Sequence, residues 1–255
     1  MTVPSKTSMF YWWPKVKDLE ILVPKTELIR HEGAFSGNLN LGVLDGEEDQ
    51  DFENLIRNAR EAAKGFAWPI FIRSDVYSGK HSWKRTCFVK SGKDIDSHIY
   101  RIFDRTFAEF GLDFFGIAVR EFLELAVGFT AFDDMPIAVE RRYFVRDGKV
   151  ECWHPYWPPA SIRKPSVQNW REILRRLQTS SEEEVAILTE YAERIGKKLG
   201  GYWSVDFCRT NKGEWYFIDM AEGGRSYHWG TCPKASPYWL KYYGDPLAVD
   251  ERVLR

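Results

Sequence analysis

Tyr202-Trp203-Ser204-Val205-Asp206-Phe207-Cys208-Arg209, the turn Thr210-Asn211-Lys212-Gly213, and Glu214-Trp215-Tyr216-Phe217-Ile218-Asp219-Met220 decide how this chain is read. Two aromatic and β-branched runs flank a polar turn, which is the hairpin signal. Asp206 interrupts the first run and Asp219 the second. A carboxylate set in an apolar strand is costly unless paired or metal-bound. A hairpin brings two such positions opposite each other, and Glu222 follows just past the strand end. Three acids converging there suit a hard, oxygen-seeking cation such as Mg2+, which is usually held by a few carboxylates with substrate phosphates. The plainer reading puts them on the solvent face of an ordinary hairpin, as for most charged side chains. The rest of the chain has to decide.

Its 255 residues suffice for one large or two small domains. With 44% hydrophobic and 29% charged residues the composition is that of a soluble globular protein. A formal net charge of −1 offers no global basic field, which makes nucleic acid an unlikely main partner. Cys87, Cys152, Cys208 and Cys232 are scattered and form no paired metal motif. No signal peptide is in view, so a reduced, cytoplasmic setting is expected. No apolar run approaches the ~20 residues that span a bilayer, and no membrane partner is expected. The aromatic content is high, 16% with 11 Trp, which serves either a core or a stacking surface for a base or sugar.

In chain order, the aromatic run 10–13 with Lys15 and Lys17 leads into an expected strand at 20–23. Residues 32–50 read as loop, with a short strand at 39–44. Helical spacing of Phe52, Leu55, Ile56, Ala59 and Ala63 predicts a helix over 51–64, followed by an apolar strand at 69–73. A strand at 86–89, a helix over 94–110, a strand at 117–125 and a strand at 137–145 come next. Asp147-Gly148 turns that last strand into another at 149–153, and 154–165 reads as irregular. A short helix is expected at 170–177. Ser180 or Ser181 with Glu183 or Glu184 is a capping-box pattern opening a helix that stops at Gly200-Gly201. Antiparallel pairs flanked by helices predict an α+β fold.

Several basic and acidic positions stand out. Arg73 ends an apolar strand, and Lys80 follows Ser78-Gly79 in a loop whose backbone could approach phosphate oxygens. Along 137–145, alternation places Glu140, Arg142 and Phe144 on one face and Arg141, Tyr143 and Val145 on the other. Glu121 and Glu124 are suited to a ribose or an amino group, or to a solvated strand edge. His81, His154 and His228 read as surface or structural histidines.

Taken in order, these segments resemble the ATP-grasp superfamily from about residue 23 to 224. Val23-Pro24-Lys25-Thr26 looks like its opening Pro-x-Thr, and Arg73 stands at its phosphate-binding Lys. The loop 74–83 looks like the lid over the phosphates. Glu121, Phe122, Leu123 and Glu124 resemble the hinge that reads adenine and ribose, and the strand carrying Arg142 resembles the one that contacts the γ- or acyl phosphate. Asp206 and Asp219 look like the paired Mg2+ acids. Three departures stand out. Arg replaces Lys at 73, an exchange known in outlying groups and one that substitutes a planar fork for a point charge. Ala221 stands where the last motif has Asn, with Glu222 as a substitute ligand. The separate domain that usually precedes the Pro-x-Thr start is absent, so the substrate is expected to be recognised differently.

The resemblance implies an ATP-grasp fold of two α+β subdomains, 1–116 and 117–255, with the nucleotide held between antiparallel sheets. It also implies an ATP- and Mg2+-dependent carboxylate–amine ligase working through an acyl phosphate and releasing ADP and phosphate. Asp206, Asp219 and Glu222 would hold the metal. Arg73, Lys80 and Arg142 would offset phosphoryl charge, Glu121 or Glu124 would take the nucleoside, Lys15 or Lys17 would add a contact, and Arg225 would bind the substrate carboxylate. Alanine at Asp206 or Asp219 is then expected to abolish turnover and leave the fold intact. Two other readings remain: a nucleotide-binding or regulatory module without ligase activity, and a carbohydrate- or peptide-binding protein built on Trp.

Overall fold

A computed structural model of the chain describes residues 4–35, 49–106, 112–230 and 232–235. The strand expected at 39–44 lies outside them. By contacts the chain divides into two compact units, Met1–Pro14 with Pro24–Leu123 and Asp133–Met135, and Lys15–Val23 with Glu124–Phe132 and Pro136–Arg255. A division at 116/117 would cut a strand, β4 (Phe114–Glu121).

The first unit is a four-stranded antiparallel sheet in the order β1-β4-β2-β3, with β1 at Thr26–Phe35, β2 at Ile70–Ser74 and β3 at Phe88–Val89. The strand expected at 20–23 begins instead at Thr26, after Pro24, which has no N–H to give a sheet ladder. Helix α2 (Gln50–Ala63) starts where the Asp49 carboxylate accepts from the N–H groups of Asp51 and Phe52. It buries Phe52, Leu55, Ile56, Ala59 and Ala63; α3 (Ile95–Asp104) buries Ile95, Ile99, Ile102 and Phe103. Both stripes pack on Ile70, Ile72, Ile117 and Val119, one face of the sheet. Strand alternation therefore puts Phe71, Arg73, Ala118 and Arg120 on the opposite face. Gly116, at φ +148, lets β1 and β4 approach so closely that a Cβ would meet the Ile29 carbonyl oxygen at 2.1 Å.

The aromatic run near the start forms a helix, α1 (Met9–Val16), and does not lead into a strand. Ser8 caps it by accepting from the Phe10 N–H, and the Ser8 hydroxyl donates to Asp75. The Asp75 carboxyl is fully buried and also accepts from the Phe115 N–H at 3.1 Å. Burial pushes its pKa up to about 6, against the pull of the Ser8 and Phe115 hydrogen bonds. An acid with a raised folded pKa stabilises below its unfolded value and loses that contribution as pH rises through the folded one. Buried histidines act in the opposite sense: His154 and His228 are lowered to about 3 and about 4 by desolvation, so stability is lost as pH falls below 6.5. The difference in unfolding free energy between the native chain and Asp75→Asn isolates the acid. It should grow in favour of the native chain by up to roughly 3 kcal/mol as pH falls from 7 to 4, measured by urea melts. A pH-independent difference would contradict the assignment.

The second unit holds a four-stranded antiparallel sheet in the order β10-β9-β7-β8 and a two-stranded ribbon, β5 (Val127–Ala131) with β6 (Met135–Ala138). The single strand expected at 137–145 breaks at Val139: β6 belongs to the ribbon and β7 (Glu140–Arg146) to the main sheet. Strand β8 is Lys149–Pro155, longer than expected, β9 is Tyr202–Arg209 and β10 Trp215–Glu222. Helix α4 (Trp170–Gln178) packs on β5, and α5 (Glu182–Leu199) covers one face of the main sheet. Of the capping pairs open in the sequence, the fold uses Ser181 with Glu184. Gly196 of α5 lies so close to the β7–β8 turn that a Cβ would meet Val145 Cγ2 at 2.5 Å. Trp12, Trp13, Trp83, Trp157, Trp170, Trp203 and Trp215 are buried, so the Trp excess largely fills core. Among the described residues, no helix is long and apolar enough to cross a membrane.

Candidate functional site

The register of the second unit assembles a polar row. Arg142 of β7 lies opposite His154 of β8 and Asp206 of β9, and Asp206 lies opposite Asp219 of β10. Directly opposed residues of an antiparallel pair share a face. His154, Arg142, Asp206 and Asp219 therefore cross all four strands on the face away from α5, where Val145 and Gly196 meet on the other side.

At the centre, Arg142 Nε and Nη2 donate to the two Asp206 oxygens at 2.7 Å each, a bidentate fork with side chains 14% and 5% exposed. Burial on its own would lower the Arg142 pKa, but the charge of Asp206, then Tyr156 and Asp219, outweighs it and raises the value. The guanidinium stands 4.6 Å from the Tyr156 ring centroid. His154 Nδ1–H donates to the Pro155 carbonyl at 2.9 Å, and its Nε2 is buried without a hydrogen-bond partner. Burial and the nearby Arg142 charge push the His154 pKa down to about 3, so it stays neutral. Reading the strand as ending at 153 left His154 outside the row; continuing the β8 alternation from Cys152 finds it.

The three acids do not converge as expected. Asp206 and Asp219 face each other, and the Asp219 Oδ1 accepts from the Met220 N–H at 2.9 Å. Glu222 lies opposite Trp203, an odd number of residues from Asp219, so pleat alternation turns it to the other face. Among the described residues, these acids form no ligand group within 4.8 Å. The two that remain fit Mg2+ in the mode of one or two carboxylates with water and phosphate oxygens. Each carboxylate oxygen of Asp206 keeps a second lone pair beyond its bond to Arg142. The fork also means that alanine at Asp206 would strand a buried guanidinium, so the expectation of an intact fold fails there. Arg225 lies exposed in a short 3-10 helix, Gly223–Arg225, beyond β10.

On the first unit, Arg73 is buried on the face away from α2 and α3, with Nε donating to the Ser74 carbonyl at 3.1 Å. Arg120 shares that face and donates to Thr26 Oγ1 at 3.0 Å while lying 5.6 Å from the Trp13 ring. The sequence reading passed over Arg120, although its even spacing from Ala118 in β4 marks the face. Lys80 opens a 3-10 turn, Lys80–Ser82, after Gly79 at φ 69. Thr86 ties that loop down by donating to the Gly79 and Ser82 carbonyls, and His98 donates to the Thr86 carbonyl at 2.7 Å. Phe122 joins Trp83 and Phe88 in an aromatic cluster. Glu121 Oε1 accepts the Lys25 N–H at 2.7 Å. Leu123 is half-buried; Lys15, which belongs to the second unit, is exposed near the end of α1. In the second unit, the exposed Glu124 accepts from Asn211 Nδ2 at 3.0 Å. His81 lies in the 3-10 turn of the first unit.

No curated protein sequence matches the chain significantly. Among solved structures it is similar to C-terminally truncated Cdc123 from Schizosaccharomyces pombe, at TM-score 0.54 and 10% identity over 99% of this chain and 96% of that one. It also resembles the biotin carboxylase domain of Hydrogenobacter thermophilus 2-oxoglutarate carboxylase, determined with MgADP and bicarbonate. There the TM-score is 0.50 and the identity 11%, over 85% of this chain and 39% of that one. Thermotoga maritima N5-carboxyaminoimidazole ribonucleotide synthetase aligns at TM-score 0.45 and 12% identity over 85% of this chain. The chain spans 41% of that synthetase. At such identities these likenesses show the fold alone. A family model described as an ATP-grasp domain, the third family of its clade, matches residues 62–239, more than two thirds of the sequence. The chain belongs to that ATP-grasp family.

Proposed function

We propose that the chain binds ATP with Mg2+ and joins a substrate carboxylate to an amine. The observation that carries this reading is the row Arg142–Asp206–Asp219, a buried fork beside a second acid on one sheet face of an ATP-grasp fold. In the proposed reaction a carboxylate oxygen attacks the γ-phosphorus, ADP leaves, and an acyl phosphate forms. The amine nitrogen then attacks the acyl carbon, phosphate leaves, and the nitrogen gives up a proton to water.

Mg2+ at Asp206 and Asp219 would supply charge neutralisation on the phosphate oxygens. Asp206 aims Arg142 by taking two of its five N–H donors, and the remainder are the ones proposed to meet phosphoryl oxygen. Arg73 and Lys80 supply positive charge on the first unit. Phosphoryl transfer needs that positioning and charge more than a covalent partner. The hinge residues 121–124 are proposed for the nucleoside, Lys15 for a further contact and exposed Arg225 for the acceptor carboxylate.

The test is thermal stability with ATP, Mg2+ and both, for the native chain and Asp219→Asn, which keeps the size of the side chain and removes its charge. Ligand at ~100 times its Kd adds about 2.7 kcal/mol. A shift that needs ATP and Mg2+ together and is lost in the variant is expected; no shift under any condition would sink the reading. Ala221 at the position of the usual Asn favours the second reading, a nucleotide-binding module without ligase activity. ATP binding without ADP release across carboxylate and amine candidates would decide for it.

A further inference from the structure

One group of side chains on the second unit takes no part in the chemistry above. Cys152 comes from β8, while His228 and Cys232 come from the segment after β10. Their ligand atoms all lie within 4.8 Å of one another, and among the described residues no other three His, Cys, Asp or Glu side chains do so. In sequence the cysteines are 80 positions apart by their numbers, and only the His228-x3-Cys232 spacing hints at the grouping.

The histidine is built in. Its ring lies on Phe144 with centroids 3.4 Å apart and planes at 23°, and it is 2% exposed. Nε2 is 3.3 Å from the Tyr202 hydroxyl, whereas Nδ1 is buried with no hydrogen-bond partner. A buried polar atom left unmade is costly, so such an atom calls for a partner. Phe144 pairs with Cys152 in the register, which places that thiol beside the ring. The Cys232 N–H donates to the Trp229 carbonyl at 2.9 Å, a turn that brings its side chain back toward His228.

We propose that Cys152, Cys232 and His228 Nδ1 form a Zn2+ site. Two sulfurs and an imidazole are the donor set of a borderline-soft d10 cation and are wrong for Mg2+. Tetrahedral zinc with Zn–S about 2.3 Å and Zn–N about 2.0 Å needs ligand atoms under about 4 Å apart, a small contraction of the present cluster. Binding releases one proton from each thiol, so Zn2+ and two thiolates leave a neutral centre in a half-buried place. The hydroxyl of Tyr202 accepts from Nε2–H and sets the tautomer that leaves Nδ1 to the metal. Both cysteines are half-buried, which leaves the fourth position to water. The metal fastens the segment around His228 and Trp229 over β7 and β8, where both rings stand 5.7 Å from that of His154, the end of the row carrying Arg142.

The experiment is a Co2+ titration of the reduced, metal-free 255-residue chain, read by absorption. One equivalent per chain is expected, with intense tetrahedral d–d bands and thiolate-to-cobalt charge transfer, bleached by one equivalent of Zn2+. Cys152→Ser and Cys232→Ser should each lose about half the charge-transfer intensity and weaken binding more than ten-fold. His228→Ala should do the same to affinity while keeping both thiolate bands. Because His228 packs on Phe144, the two serine variants, near in size to the native residues, decide if the alanine variant fails to fold. Pale octahedral bands, no stoichiometric binding by the unaltered chain, or binding unchanged in the serine variants would overturn the site. So would a Cys152–Cys232 disulfide that, once reduced, leaves a chain unable to bind Co2+.

Discussion

Asp206→Ala should lower the unfolding free energy by about 3–5 kcal/mol, the usual result of removing one member of a buried ion pair. Both Arg142 donors in the fork lose their acceptors at once, and the strand neighbour on the other side, His154, is neutral and carries no charge to replace them. Asp219 offers partial compensation, since its charge already contributes to holding Arg142 protonated. ATP-dependent stabilisation should disappear in the same variant. That loss alone would not separate a ligand's absence from a damaged sheet. The double variant Arg142→Met/Asp206→Leu does so: replacing a whole buried pair by apolar residues of similar volume is often neutral or stabilising. It should melt within about 2 kcal/mol of the native chain while remaining unable to respond to ATP and Mg2+. Urea melts give the first quantity and thermal scans the second. If Asp206→Ala alone melts like the native chain, the fork contributes little and the proposed aiming of Arg142 loses its basis.

Much of the fold was legible because local chemistry and apolar period agreed. Asp49 and the stripe from Phe52 to Ala63 fix α2, and Ser181 with Glu184 fixes the start of α5. The hairpin of β9 and β10 and the pairing of Asp206 with Asp219 followed from turn residues and strand length. The α+β class and the ATP-grasp family stand. Errors came where tertiary pairing overrides local pattern. Nothing in the apolar run through Val139 marks the change from ribbon to main sheet, because both halves alternate alike. The aromatic segment of α1 has strand-like composition, and its helix is fixed from outside by Ser8 and Asp75.

The candidate site divides the same way. Parity within one strand was sufficient to separate Arg142 from Arg141, and the same parity excludes Glu222 from the face of Asp219. His154 and Arg120 needed the cross-strand register. The closeness of Cys152 to Cys232 needed the path of the chain after β10, which no local signal encodes.

The neighbouring arginines make the second large prediction, because parity gives them opposite tasks. Arg141 is 1% exposed and points to the helix side. Its Nη1 donates to the Glu140 and Leu177 carbonyls, its Nη2 to the Thr179 carbonyl at 2.8 Å, and its Nε to Ser180 Oγ at 2.7 Å. Leu177 and Thr179 belong to the C-terminal end of α4, whose last carbonyls have no partner within the helix. One guanidinium thus satisfies the end of α4 and the chain entering α5. Burial lowers its pKa to about 10, with Glu184 working against the shift, so the charge persists at neutral pH. Arg141→Ala should cost about 3–5 kcal/mol, because several buried acceptors lose charged donors together. Arg141→Lys should recover less than half of that, since a point charge cannot reach acceptors arranged for a planar fork. Whatever fraction remains folded should keep its full thermal response to ATP and Mg2+, whereas Arg142→Ala should lose it. Guanidinium midpoints and nucleotide-dependent thermal shifts on the two alanine variants measure both effects. An equal loss of nucleotide response in both would mean that the two faces of β7 are not functionally distinct, and Arg142 would have no special claim on the phosphoryl group.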